Sequence, residues 1–187
     1  MQRTLWIIAG ILGLLLVHAG LLFFMGQPLV CECAQVSFWY GGAALDPQNS
    51  QQFADWYSLS HIIHGIFFYA LLTFLFPRLP LSVRILGAMA IEMSWELFEN
   101  TDMVINHYRQ QALAEGYSGD SVLNSLGDVV CAGVGAFAAS RLRVWMTIAL
   151  VIALELLALY AIHDNLTLNI IQFIHPIDAI GAWQASI

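Results

Sequence analysis

Five acidic or imidazole side chains stand at helical spacing in two neighbouring stretches of a very apolar chain. His61 and His64 are three residues apart. Glu92, Glu96 and Glu99 sit at i, i+4 and i+7. On a helix each set forms one face, and Tyr57, four before His61, lies on the histidine side. A third set, Asp120, Asn124 and Asp128, drifts only about 80° around its own helix. Imidazoles with carboxylates suit Zn²⁺ or Mn²⁺, and carboxylates with water suit Mg²⁺. The chemistry these residues offer is therefore a divalent metal centre. The expected ligands are His61, His64, Glu96 and Asp128. Glu92 or Glu99 is the expected general base. Asn100, Arg109, Asp120 and Asn124 are the expected contacts to a substrate headgroup.

The elements that must carry these groups are membrane helices. The chain has 187 residues, 59% hydrophobic and only 10% charged, and its mean hydropathy is +0.73. That composition belongs to an integral membrane protein. Ionisable side chains inside a bilayer cost several kcal/mol each, roughly, and persist only when paired or functional. The expected fold is all-α: a polytopic membrane helix bundle of about five transmembrane helices with a C-terminal interfacial helix. Residues 1–187 read as a single membrane domain, since no polar linker or internal repeat divides them.

The expected spans cover residues 5–24, 59–76, 85–104, 121–139 and 144–162, each near the length a bilayer requires. The first also fits a signal peptide. Its length and weak small-residue pattern favour an uncleaved helix. Residues 166–187 are apolar but interrupted by Asn169, His175, Pro176 and Asp178, and read as an interfacial helix anchored by Trp183.

The chain lacks lysine, and its arginines are Arg3, Arg78, Arg84, Arg109, Arg141 and Arg143. With the N-terminus in the cytoplasm, all but Arg109 fall on the cytoplasmic side, as the positive-inside bias requires. The reading is a multi-pass protein of the bacterial inner (plasma) membrane. No basic patch suggests nucleic acid. Membrane lipids are the expected partners, with a protein partner or a homo-oligomer left open. In this topology the polar ends of the second, third and fourth spans meet in the outer half of the membrane.

Several other residues carry weaker expectations. His18 reads as a hydrogen-bonded core histidine, and Glu155 as a group that could join the site. Cys31 and Cys33 read as free thiols or an intermolecular link, because a Cys-x-Cys pair is too close for an unstrained disulfide. Cys131 reads as packing, and Asp120 as the cap of its helix. Arg109 has a second reading, as a partner of Glu115 or Asp102. Gly127, Gly133 and Gly135 would let the fourth span approach a neighbour closely.

The order of these motifs resembles a known pattern. Ser60, His61, His64 and Gly65 lie on one helix, and Glu92 and Glu96 on the next. The run Gly119-Asp120-Ser121, Asn124-Ser125 and Asp128 then opens a glycine-rich helix. This looks like an uncharacterised family of small bacterial integral membrane proteins and is distantly similar to the VanZ-like superfamily. That likeness implies matching polar positions at His64, at Glu92 or Glu96, and at Asp120 or Asp128. His61 and Glu99 are additions here, and Leu59-Ser60 stands where an Asp-Lys pair often precedes the VanZ-like histidine. VanZ-like proteins are associated with resistance to a lipoglycopeptide, which implies chemistry on envelope lipids or wall precursors.

The function expected from these residues is a metal-dependent hydrolase or transferase acting on a lipid or lipid-linked phosphate. The rivals are a non-catalytic accessory or structural membrane subunit, whose polar network serves packing, and a small ion or proton carrier.

Overall fold

The computed structural model describes residues 2–186, with side-chain surroundings from residue 5 onward. All regular structure among them is helical, in eight helices. The long ones are α1 (Gln2–Phe24), α2 (Ser58–Leu75), α3 (Leu81–Glu99), α5 (Val122–Arg141) and α6 (Val144–Ile162). Three are short: α4 (Asp102–Tyr108), α7 (Leu166–Ile174) and α8 (Asp178–Gln184). Four helices, α1, α2, α5 and α6, are long and apolar enough to cross a membrane. The chain is thus a membrane-type helical bundle.

Helix α3 is not one of those four, although it has 19 residues. The reason is local: Arg84, Glu92, Glu96 and Glu99 all fall within it. It also ends at Glu99, short of the expected 104, because Asn100 turns the chain and α4 begins at Asp102. At the other end, Pro80 precedes its first turn, where a missing N–H costs nothing. Pro77 likewise stops α2, whose last cap is Phe76.

Helices α2, α3 and α5 form the centre, with α1 against α3 and α5, and α6 against α2 and α5. Small residues set the closest approach. A Cβ on Gly65 of α2 would strike the Ala132 backbone of α5, and one on Gly135 would strike the Ile62 backbone. Gly127 meets the carbonyl of Phe53, in the loop before α2, and Gly133 meets the Met89 side chain of α3. Backbones this close gain the dispersion and packing that hold apolar helices together without a hydrophobic drive. Helix α1 is mostly exposed on its flanks and, among its described side chains, buries only His18 and Leu22 completely.

The loop 25–57 is the largest departure from a simple bundle. It lies over the start of α5 and supplies acceptors for its unpaired amides. Val122 N donates to Pro28 O at 2.8 Å and Leu123 N to Leu29 O at 3.1 Å. Ser121 N donates to Ser50 O at 3.0 Å. Asn124 N is held by Ser121 Oγ, so Ser121 and not Asp120 is the cap. Every early amide of α5 is thereby satisfied, as a buried helix start requires. Within this loop Cys31 and Cys33 are joined to each other, against the expectation of free thiols or an intermolecular link.

The tail also differs from the expected single interfacial helix. Pro176 breaks it into α7 and α8. Asn165 caps α7, and Glu155 accepts from Leu166 N, Thr167 N and Thr167 Oγ at the same helix start. Glu155 therefore serves the tail and stays away from the polar cluster. Trp183 is 43% exposed and stacks on His163 with ring centroids 4.7 Å apart.

Candidate functional site

The acidic stripe of α3 and the histidine face of α2 meet between the central helices. His61 Nδ1 lies 2.5 Å from Glu92 Oε1 and 3.1 Å from Glu96 Oε1. His64 Nδ1 lies 3.1 Å from the same Glu92 Oε1. Glu92 and Glu96 are fully buried, and His61 nearly so. Two ligand groupings result: His61, His64 and Glu92, and His61, Glu96 and Glu99. Within each, one donor atom per residue lies within 4.8 Å of the others.

Two carboxylate oxygens in this cluster, Glu92 Oε2 and Glu96 Oε1, are buried without a hydrogen bond. Glu96 Oε1 is near His61 Nδ1, but the geometry is not that of a hydrogen bond. One imidazole N–H cannot serve two carboxylates and leave both satisfied. A buried carboxylate oxygen without a partner is costly, so the cluster calls for protons or a cation.

Asp128 stands one step further out. Its Oδ2 is 3.9 Å from His61 Nε2, and its Oδ1 accepts from Ser58 Oγ at 2.6 Å. It belongs to neither three-residue grouping. Glu92, the expected base, sits between both imidazoles. Glu99 is partly exposed and is reached from His61 and Glu96.

Aromatic rings border the cluster on the His64 side. His64 is the more accessible imidazole, at 16% of its side chain. It packs against Phe68 and Trp95, with centroids 5.8 and 6.0 Å away, and Trp95 packs in turn against Phe98. This apolar rim lies on α2 and α3.

The residues expected to bind a headgroup are placed otherwise. Asn100 and Asp120 grip each other: Asn100 Nδ2 donates to Asp120 Oδ2, and Asp120 N donates to Asn100 Oδ1, both at 2.7 Å. Tyr117 OH donates to the second oxygen of Asp120 at 3.0 Å. Burial pushes the Asp120 carboxyl above its ordinary value, and the Asn100 and Tyr117 hydrogen bonds oppose that rise. Asn124 Nδ2 donates to Gln52 O at 2.7 Å, which fastens the long loop. All three are buried and spend their polar atoms internally. Arg109 is exposed, and its Nε donates to Tyr117 O at 2.6 Å. Among the described residues it makes no ion pair with Glu115 or Asp102, against that second expectation.

Several participants escape a reading of the sequence. His18 Nε2 lies 2.7 Å from Ser125 Oγ, which in turn donates to Glu96 Oε2 at 2.5 Å. His18 is thus the hydrogen-bonded core histidine expected, and Ser125 joins it to the cluster. Asp55 is buried, accepts from Ser50 N and Tyr57 N, and donates its own N–H to Ser58 Oγ. The one available signal is Asp55 three residues before Ser58 at a helix start. Tyr57 does not join the histidines; its OH donates to Asp164 Oδ2 at 3.0 Å.

These features define an all-helical membrane-type protein with a buried acid–histidine cluster at its centre. The chain belongs to the family described as "Protein of unknown function (DUF2585)", whose model matches residues 22–186. It is 48% identical over 184 residues to a UPF0314 protein of Sphingopyxis alaskensis, covering 98% of this chain and 96% of that one. It is 44% identical to the UPF0314 protein R03235 of Rhizobium meliloti over 186 residues, covering 100% and 93%. A UPF0314 protein of Brucella anthropi is 43% identical over 177 residues, covering 95% and 89%. No solved structure matches the chain.

Proposed function

We propose that this chain is a single-domain, multi-pass protein of the bacterial inner membrane whose buried cluster holds a divalent metal ion and acts as a hydrolase or transferase on a lipid or lipid-linked phosphate. One observation carries the reading. Two imidazoles and two glutamates converge at the centre of the bundle, and two of the buried carboxylate oxygens have no hydrogen-bond partner. A cation beside His61, held with His64 and Glu92 or with Glu96 and Glu99, would give a partner to a carboxylate oxygen that lacks one. Asp128 stands behind His61 as a third acid beside Glu92 and Glu96. Zn²⁺ and Mn²⁺ suit this donor set, and Mg²⁺ suits it less.

When bound, such an ion supplies Lewis acidity and lowers the pKa of water near it. Glu99, partly exposed at the edge of the cluster, is placed to take a proton from water or an acceptor alcohol. The rim of Phe68, Trp95 and Phe98 suits acyl chains arriving sideways from the bilayer. The likeness to VanZ-like proteins, carried by His64, Glu92 or Glu96, and Asp120 or Asp128, favours an envelope lipid or wall precursor as substrate. Five crossings are part of the reading: α3 is as long as its neighbours and packs among α1, α2 and α5. Its acids turn inward, so its composition hides a crossing.

A second reading is a non-catalytic subunit whose network only fixes packing. The reciprocal Asn100–Asp120 pair and the Ser58–Asp128 bond favour it, since both are internal ties. Metal content separates the two. Purified wild-type protein is expected to retain a divalent ion that the His64→Ala, Glu96→Ala double variant loses. Equal metal in both proteins, measured by elemental analysis, removes the metal reading. In that event Glu96→Gln, with its preserved shape, is expected to leave the fold and the cellular role intact.

A further inference from the structure

Helix α1 is exposed along most of its described length, yet it places one polar side chain, His18, at complete burial. An imidazole there needs a reason, because a polar group in an apolar interior is costly unless it is used. Its partner is Ser125 Oγ on α5, at 2.7 Å. Ser125 Oγ contacts Glu96 Oε2 at 2.5 Å.

With a cation keeping Glu96 ionised, hydrogen-bond inventory fixes the direction. A serine hydroxyl has one proton and can accept as well. With Glu96 ionised, that proton goes to Glu96 Oε2. Ser125 Oγ must then accept from His18, so His18 carries its proton on Nε2. Its Nδ1, buried and without a partner among the described residues, is left as a bare acceptor. The consequence falls on Glu96. One of its oxygens is held from the α5 side, and the other, Oε1, faces His61 without a hydrogen bond.

We propose that His18, acting through Ser125, is a positioning residue that orients the Glu96 carboxylate and presents its Oε1 to the ion site. The inference rests on the metal reading given above. It explains why α1, a mostly exposed helix, is pinned to the bundle at His18. Groups that orient a ligand in this way typically change metal affinity about 10–100-fold when removed.

The test is a titration of the purified full-length protein with Zn²⁺ alone, comparing wild type with Ser125→Ala, His18→Leu, His18→Gln and the Ser125→Ala, His18→Leu double variant. Ser125→Ala and His18→Leu are expected to weaken Zn²⁺ binding about 10–100-fold at unchanged stoichiometry. The double variant is expected to be no weaker than its weaker parent, because both changes cut one chain. His18→Gln retains an amide donor and is expected to stay within a few-fold of wild type. Wild-type affinity in Ser125→Ala, or additive losses in the double variant, would overturn the proposal and leave the metal site standing. Equal losses in His18→Gln and His18→Leu would reduce His18 to packing and also overturn it. If no variant, wild type included, takes up Zn²⁺, the metal reading fails and the positioning role falls with it.

Discussion

At the scale of single residues, the buried polar pairs are more exacting than the apolar core. Asn100 and Asp120 use two hydrogen bonds to tie the end of α3 to the approach of α5. Asn100→Ala leaves a buried carboxylate and a buried amide each short of a partner, which costs about 2–3 kcal/mol. The expected result is a clear drop in thermal midpoint in detergent, and a midpoint equal to wild type would deny the pair its structural role. Asp164 gives a pH-dependent counterpart. Burial lifts its carboxyl from 3.8 to about 6, against hydrogen bonds from Asn165 N, Tyr57, Asn169 and Gln184. The folded protein therefore holds this proton more tightly than the unfolded chain. The contribution is fully present below pH 3.8 and is lost as pH rises through about 6, beyond which it is flat. The size over that window is roughly 3 kcal/mol. Asp164→Asn is expected to remove that slope, so the wild-type minus variant difference in unfolding free energy should fall between pH 4 and pH 6. A difference independent of pH in that range would show that Asp164 titrates normally.

At the scale of helices, the close α2–α5 crossing depends on glycine. Gly135→Val would drive a branched side chain into the Ile62 backbone, and neither helix can yield without separating. Overpacking of this kind costs about 1–3 kcal/mol or more. By contrast, nothing lies within 4 Å of a Cβ on Gly20 of α1, so Gly20→Ala is expected to be neutral or slightly stabilising. Heating both variants in detergent and following helicity checks the contrast, and equal midpoints would mean that the crossing is not set by Gly135. These elements also show what a sequence can disclose. Helices α1, α2, α5 and α6 are apolar runs with prolines or arginines at their ends, and such runs declare themselves. The Glu92, Glu96 and Glu99 stripe is legible because helical spacing is regular. The loop 25–57 is not legible, because its hold on α5 runs through carbonyls of Pro28, Leu29 and Ser50 that any residue could supply. Arg109, Asn100 and Asn124 illustrate the same limit: residue type suggests a ligand contact, and only neighbouring backbone and side chains decide where the hydrogen bonds go. The link from His18 to Glu96 joins residues far apart in the chain, so no local pattern announces it.

For the whole molecule, the decisive question is whether α3 crosses the bilayer. Its 19 residues rise about 28 Å at 1.5 Å each, close to the hydrocarbon thickness. Its buried acids face α2 and α5, where other polar groups receive them, so lipid need not solvate them. If α3 crosses, the loop at 76–80 and the loop at 109–121 lie on opposite sides of the membrane. In that case the positive-inside bias of the arginines predicts 76–80 inside with Arg141 and Arg143, and the proposed site nearer the outer surface. If α3 does not cross, both loops share one side, and the acid–histidine cluster is no longer framed by three antiparallel spans. Single cysteines decide this directly in a background lacking Cys31, Cys33 and Cys131. Gly116→Cys sits at an exposed position with open space around it, and Leu79→Cys marks the opposite turn. A membrane-impermeant thiol reagent added to intact cells is expected to label Gly116→Cys at once and Leu79→Cys only after permeabilisation. Labelling of both in intact cells, or of neither, would place the two turns on one side. It would also remove the five-span topology on which an outward-facing reaction site depends.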